Sequence, residues 1–312
     1  MEQLTTFINI QTDYGFKRMF GTPKNKRILI RFLNALLGDT ICVTDVVYHD
    51  KEMLPEDENG KRIIYDVYCT SQGENHHFIL EMQNFYEPPF ADRVLYYTTK
   101  IIAGQGKKGW DYKLKPVISI VVMDFDLKKM TKSLIHDMQM VDVKTGDVLS
   151  DKVRVLLLSL KQIEAKKWEE CGSEIERLMF LIKNMDKLEK SSEIYRSKEY
   201  QDMFDAAETH NMVNEELVAY SESLQRMRDY QSGLDYARKE SFDDGVSKGI
   251  QKGREEGIKK GREEGIKKGR EEGREEERME SIRFMLSIGV APEVIAKQYG
   301  MTAEELLGLM RN

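Results

Sequence analysis

Two acids sit where strand-forming sequence rarely carries them. In IIYDVYCTSQGENHHFILEMQ (residues 63–83) Asp66 lies inside one β-branched and aromatic run, and Glu81, with Gln83 two places on, inside another. The runs 62–70 and 76–83 are separated by Ser-Gln-Gly-Glu-Asn, so they predict a β-hairpin. A tight turn through Gly73-Glu74 sets Gln72 opposite Asn75. Hairpin partners keep a constant sum of residue numbers, so Asp66 falls opposite Glu81. Side chains alternate along a strand, which puts Ile64, Asp66 and Tyr68 on one face with Ile79, Glu81 and Gln83. Opposed residues stand about 4.5–5.5 Å apart at Cα, and like charges so placed destabilise a sheet. A divalent cation reverses that cost, since hard ions such as Mg²⁺ take oxygen ligands, often one or two carboxylates with waters and substrate phosphate. The bland alternative is a solvent-exposed face with incidental acids, and Ile64 and Ile79 on that face argue against it.

These acids need a scaffold. Residues 12–37, TDYGFKRMFGTPKNKRILIRFLNALL, have helical apolar spacing with a break near Gly21-Thr22-Pro23. Lys17, Arg18, Lys24, Lys26, Arg27 and Arg31 make this the most basic part of the first half. They form either a solvated helix face or a phosphate-facing, DNA-binding surface. A strand is expected over 41–48, a polar turn-rich loop over 52–61, a helix over 90–104 and a buried strand over 116–125. Three strands, a crossover helix and a fourth strand predict an α/β fold, a mixed sheet with helices on its faces.

Bulk properties exclude several classes. The chain has 312 residues, a net charge of −6, 40% hydrophobic and 33% charged residues, so any nucleic-acid contact must come from a local basic patch. Cys42, Cys69 and Cys171 are scattered, with neither zinc spacing nor a disulfide framework, which fits a reducing cytoplasm. His76 and His77 point to opposite strand faces, against a histidine-based metal site. The opening MEQLTTFINIQTDYG has neither the basic start nor the apolar run of a secretory leader. No stretch approaches the ~18 apolar residues of a membrane helix.

Five segments in order carry a resemblance: TDYGFKRMFG with ILIRFLNALLG, then YDVYC, FILEMQ, FADRVLYYTTK and LKPVISIVVMDF. Over residues 8–126, and more weakly to about 190, the chain resembles the PD-(D/E)XK nuclease family transposases, or recombination-promoting nucleases, of bacteria. The resemblance implies a restriction-endonuclease-like core, dependence on Mg²⁺ or Mn²⁺, and DNA as substrate for phosphodiester hydrolysis. Asp66 and Glu81 match the two motif acids and would hold the metal, and Asp13 matches the opening motif as a peripheral acid, unless Thr12 or Asp13 merely caps the helix. Gln83 stands where the superfamily usually has lysine. A neutral amide orients water by hydrogen bonds but brings no charge. Arg93 and Lys100, seven residues apart on the following helix, lie near one face, and either would supply the missing cation unless that face is only solvated. The departure at Gln83 keeps a second reading open, a weakly active or inactive DNA-binding or regulatory protein retaining the fold.

The remainder differs in character. The core is placed at 1–126 and a mostly helical extension at 127–240, where VRVLLLSL (153–160) reads as a strand or a short buried helix. From 241 to 278 glycine recurs every fourth residue from Gly245 to Gly273 among Lys-Lys and Glu-Glu pairs. Each glycine costs a helix about 1 kcal/mol against alanine, so this segment reads as a charged linker, or as a helix that forms only when packed and mediates a homodimer. Residues 279–312 form a small helical module, helix-turn-helix-like or a docking element, with Thr302 and Glu305 as a capping box.

Overall fold

The computed structural model describes residues 5–309, apart from 39, 51, 54–62, 74, 107–108, 110, 112, 129 and 165. Most of the expected polar loop and one residue of the expected turn, Glu74, lie outside the described residues. Helix α1 (Asp13–Phe20) starts at Thr12, whose Oγ1 accepts the Gly15 N–H at 3.0 Å. A 3-10 turn at Pro23–Asn25 separates it from α2 (Lys26–Leu37), at the predicted break. Then follow β1 (Val46–Tyr48), β2 (Glu52–Met53), β3 (Ile63–Ile64), β4 (Val67–Ser71), β5 (His77–Gln83), α3 (Phe90–Ala103), β6 (Val117–Met123), β7 (Ile135–Val141) and β8 (Val148–Ser159). The helices α4 (Glu174–Asn184), α5 (Glu193–Arg196), α6 (Gln201–Ala207), α7 (Asn214–Ser287), α8 (Pro292–Tyr299) and α9 (Ala303–Leu309) complete the order.

Six strands form one mixed sheet in the order β1-β4-β5-β6-β8-β7. The strands β5, β6 and β8 run parallel, with β1, β4 and β7 antiparallel to their neighbours. Central β6 is buried at every position, as its unbroken apolar run requires. Alternation along the strands sorts the two faces. Even-numbered Phe78, Leu80, Ile118, Ile120 and Val122 pack with Phe16, Phe20, Phe32 and Leu33 of α1 and α2 and with Met179 of α4. Odd-numbered Ile79 and Val117 pack with Ile101 of α3, and Val121, Met123 and Leu157 with Phe90 at its start. This is the restriction-endonuclease-like arrangement, a mixed sheet between helical layers.

The hairpin register is the expected one: Val67 faces Leu80, Tyr68 faces Ile79 and Thr70 faces His77. Two features differ. The run 62–70 is not one strand, because β3 pairs with β2 and the sheet strand begins at Val67. Asp66 sits in the break, and Ile64 is half exposed instead of sharing a buried face. The sheet also continues past residue 126. The strands β7 and β8 belong to it, and 153–159 is the end of a twelve-residue strand, with Leu160 opening a 3-10 turn. The polar, outward half of that hairpin (IHDMQMV) hides its strand character from hydropathy.

Met1–Gln231 form one compact unit and Ser232–Asn312 a second. In the first, the early turns of α7 hold the N-terminal segment: Tyr220 Oη accepts the Asn9 N–H at 2.8 Å and Ser223 Oγ the Tyr14 N–H at 3.0 Å. In the second, the glycine repeat is helical, and a Cβ built on any glycine from Gly245 to Gly273 meets nothing within 4 Å. The repeat therefore forms helix with its glycine stripe open. Salt bridges such as Lys248–Asp244 and Lys268–Glu272 run along it at helical spacing. Ile282, Ile295, Ala296 and Leu306 form the core of the terminal module. Left-handed Gly300 ends α8, and Thr302 and Glu305 exchange the expected capping bonds, at 2.7 and 3.2 Å.

Candidate active site

Glu81 is on β5, one step beyond the last paired residues of the hairpin, and Asp66 occupies the strand break across from it. The bonds that join them explain that break. The Asp66 N–H donates to Glu81 Oε1 at 3.3 Å instead of to a ladder carbonyl, and Asp66 Oδ2 accepts the Met82 N–H at 2.9 Å. Glu81 is 9% exposed and lines a narrow cleft under α3 with Gln83, Arg93, Tyr97 and Ser119. Burial, and then the Asp66 carboxylate, push Glu81 well above the usual glutamate range. Burial also raises Asp66, against the pull of the Met82 N–H and Lys17. Two acids that both resist ionisation on one spot lack positive charge between them.

Part of that charge comes from α1. Lys17 Nζ lies 3.4 Å from Asp66 Oδ1 and also pairs with Asp13, one turn earlier. Burial works against its charge, but the two carboxylates outweigh it and hold the ammonium above its usual range. Sequence reasoning had put Lys17 on an outer basic surface. The available signal was the Asp13–Lys17 spacing of four, which ties the peripheral acid to a cation. Asp13 is exposed and engaged by Lys17, while Thr12 makes the cap.

Gln83 and Arg93 are brought together, and Arg93 donates through Nη2 to Gln83 Oε1. Its Nη1 donates to Glu87 at 3.1 Å, and Tyr230 of α7 donates to the other Glu87 oxygen at 3.0 Å. A guanidinium only donates, so this bond fixes the amide with its oxygen toward Arg93 and leaves the nitrogen as a donor. Lys100 is not among the cleft-lining residues, and its ammonium lies 5.9 Å from the Tyr96 ring centre.

The basic residues of the first two helices scatter. Arg18 is buried, donating to Ala206 O at 2.8 Å and pairing with Glu216, so it braces three helices. Arg31 pairs with Glu174 and stacks 4.1 Å from the Tyr200 ring centre, again as a brace. Lys26 pairs with Asp45 at 2.6 Å. Arg27 and Lys24 are exposed.

Among the described residues, no group of three or more His, Cys, Asp and Glu is gathered for a metal. Asp66 and Glu81 nevertheless fit a hard divalent ion, which needs only one or two carboxylates when waters and phosphate complete its shell. A cation there would offset the burial that raises both acids and the Asp66 charge that raises Glu81 further. No helix among the described residues is long and apolar enough to cross a membrane.

Comparison with curated proteins and with solved structures found no match. A model of the PD-(D/E)XK nuclease family transposases matches residues 10–237, a span that holds the whole sheet, both acids, Gln83 and the root of α7. With an opposed Asp–Glu pair on a hairpin of a mixed sheet and that match over most of its length, the chain belongs to the PD-(D/E)XK nuclease family transposases.

Proposed function

We propose that this protein is a divalent-metal-dependent DNA endonuclease that hydrolyses phosphodiester bonds. The single observation carrying the proposal is the pairing of buried Glu81 with partly buried Asp66, two carboxylates facing each other with their acidity suppressed. An isolated sheet gains nothing from such a pair, whereas a cation site requires it. The two acids would hold the ion, Mg²⁺ or Mn²⁺. When bound, the ion supplies Lewis acidity toward a phosphoryl oxygen and lowers the pKa of a coordinated water.

The chain's own groups divide the remaining work. Lys17 carries positive charge at the Asp66 side, where negative charge grows on the phosphate oxygens in the transition state. Arg93 orients the Gln83 amide, whose N–H bonds then position water or a phosphate oxygen. Gln83 thus has a lysine's donor polarity without its charge, and Arg93 supplies the charge behind it. The exposed Arg27 and Lys24 offer backbone-phosphate contacts.

The test is conversion of supercoiled plasmid to nicked and linear forms by the full-length protein with Mg²⁺ or Mn²⁺. We expect cleavage that EDTA stops and that Asp66→Asn or Glu81→Gln lowers by at least about a hundredfold. Tight DNA binding with no cleavage under either ion would replace this reading with that of a DNA-binding protein that retains the fold.

A further inference from the structure

Beyond the catalytic cleft, on the same face of the sheet, lies a cavity of about 430 Å³. Its floor is Val155 and Leu157 of β8. Its walls include Leu95 of α3 and Met138 and Met140 of β7, and Tyr86 stands at the rim. Phe90 and Val94 line both this cavity and the catalytic cleft. Neither hydrolysis nor metal binding uses such an apolar space, and the core does not need it, since Tyr86, Leu95 and Met140 are each half or more exposed.

We propose that this cavity receives one unpaired nucleobase of the DNA strand held in the catalytic cleft. The inference rests on the nuclease reading and adds the substrate class, DNA with an unstacked base beside the cut. Distance supports it. Glu81 is in register with Val121, and Val121 with Leu157, so the cavity floor begins two strands from the carboxylates, about 10 Å away. A base swung out from a nucleotide at the cleft spans that gap.

Chemistry supports it too. Tyr86 and Phe90, which line the cavity, form an aromatic cluster with neighbouring Phe125, with ring centres 5.4–6.4 Å apart. Base–aromatic stacking tolerates any base, because every base has a π-face. The methionines supply an adaptable, polarisable wall. The loop that places Leu127 and Met130 in the wall also exposes Lys128 and Lys132, as a backbone entering from solvent would require. The volume falls in the range of small-ligand pockets, and a concave space of this size suits a planar ring better than a helix.

Binding measured without cleavage tests this. Full-length protein in Ca²⁺ is titrated into two labelled duplexes, one fully paired and one carrying a single unpaired 2-aminopurine, followed by anisotropy and by 2-aminopurine emission. We expect the unpaired duplex to bind roughly tenfold more tightly, the size of one base–aromatic stack, with a change in emission on binding. Tyr86→Ala with Met140→Gln, at two exposed positions, should erase the preference, while Tyr86→Phe keeps it. Equal affinity for both duplexes, or a preference that survives the double substitution, overturns the proposal. So does a change in sedimenting mass on the double substitution, which would make the cavity a subunit interface. Because no cleavage is scored, a failed plasmid assay and a failed base pocket are separate outcomes.

Discussion

Lys17 Nζ stands 3.4 Å from Asp66 Oδ1, so a cation from the first helix already occupies one side of the acid expected to hold a metal. On the nuclease reading it would compete with the metal for Asp66 and also contribute charge to the transition state. Lys17→Met should bind Mn²⁺ more tightly yet cleave DNA about a hundredfold more slowly. Calorimetric metal titration and single-turnover cleavage check the two halves. Weaker metal binding together with slower cleavage would mean that Lys17 only supports the fold of the site.

Stability should depend on pH through Glu81. Its folded-state pKa is raised, so the folded chain holds that proton more tightly than the unfolded chain. The stability this adds is fully present below the ordinary glutamate range and is lost as pH rises through the raised value. In EDTA, Glu81→Gln should gain melting temperature on the wild type as pH rises above the ordinary glutamate range, and Mg²⁺ should close the gap by stabilising only the wild type. A gap that stays constant across this range would show that Glu81 titrates normally.

Gln83→Lys restores the residue usual in the wider superfamily, but here it would set an ammonium against the Arg93 guanidinium. The substitution should lower both stability and cleavage, by about 1 kcal/mol in stability. Adding Arg93→Gln should recover most of the loss, giving a double-mutant coupling of at least about 0.5 kcal/mol. Additive effects in denaturation and in cleavage would break the link between the two residues.

Arg18→Met should destabilise the first unit by about 1–3 kcal/mol, because it leaves Ala206 O without its buried donor and breaks the pair with the partly exposed Glu216. The affinity of the folded protein for DNA should not change. Urea denaturation alongside anisotropy at low temperature separates the two effects, and an affinity that falls while stability holds would return Arg18 to the DNA-binding surface.

Gly253, Gly257, Gly261 and Gly265 have open space where a Cβ would stand, so replacing all four with alanine should raise helicity and add roughly 0.8–1.0 kcal/mol of helix stability per site. Circular dichroism of the full chain and sedimentation check this together. If the stripe is the face on which a second copy sits, the same substitutions should instead reduce the sedimenting mass, and the repeat would be the dimer contact that its spacing suggests.

The acids and their register were legible because alternation and the Gly73 turn leave one pairing that buries both apolar runs. The strand break at Asp66 was not, since it follows from a hydrogen bond between a backbone N–H and a side chain fifteen residues away. Lys17 and Arg18 are adjacent and look alike in sequence. One reaches the site and the other is buried, and only the packing of α1 against α6 and α7 decides which. The hairpin of β7 and β8 was missed for a simpler reason. At a sheet edge with an exposed outer half, its residues carry too little apolar pattern to mark them as strand.

The clasp on the N-terminal segment sets when the site can exist during synthesis. Ile8 N–H bonds to Ala207 O at 2.8 Å, Thr209 N–H to Thr6 O at 3.0 Å, and Asn9 N–H to a tyrosine 211 residues further on. The helix bearing Lys17 follows directly from that segment. A growing chain therefore displays Asp66 and Glu81 before the clasp that holds the segment leading into α1 has been made. Partial chains would hold the acids without the completed clasp, and on the nuclease reading full cutting competence would arrive only once the root of α7 had emerged.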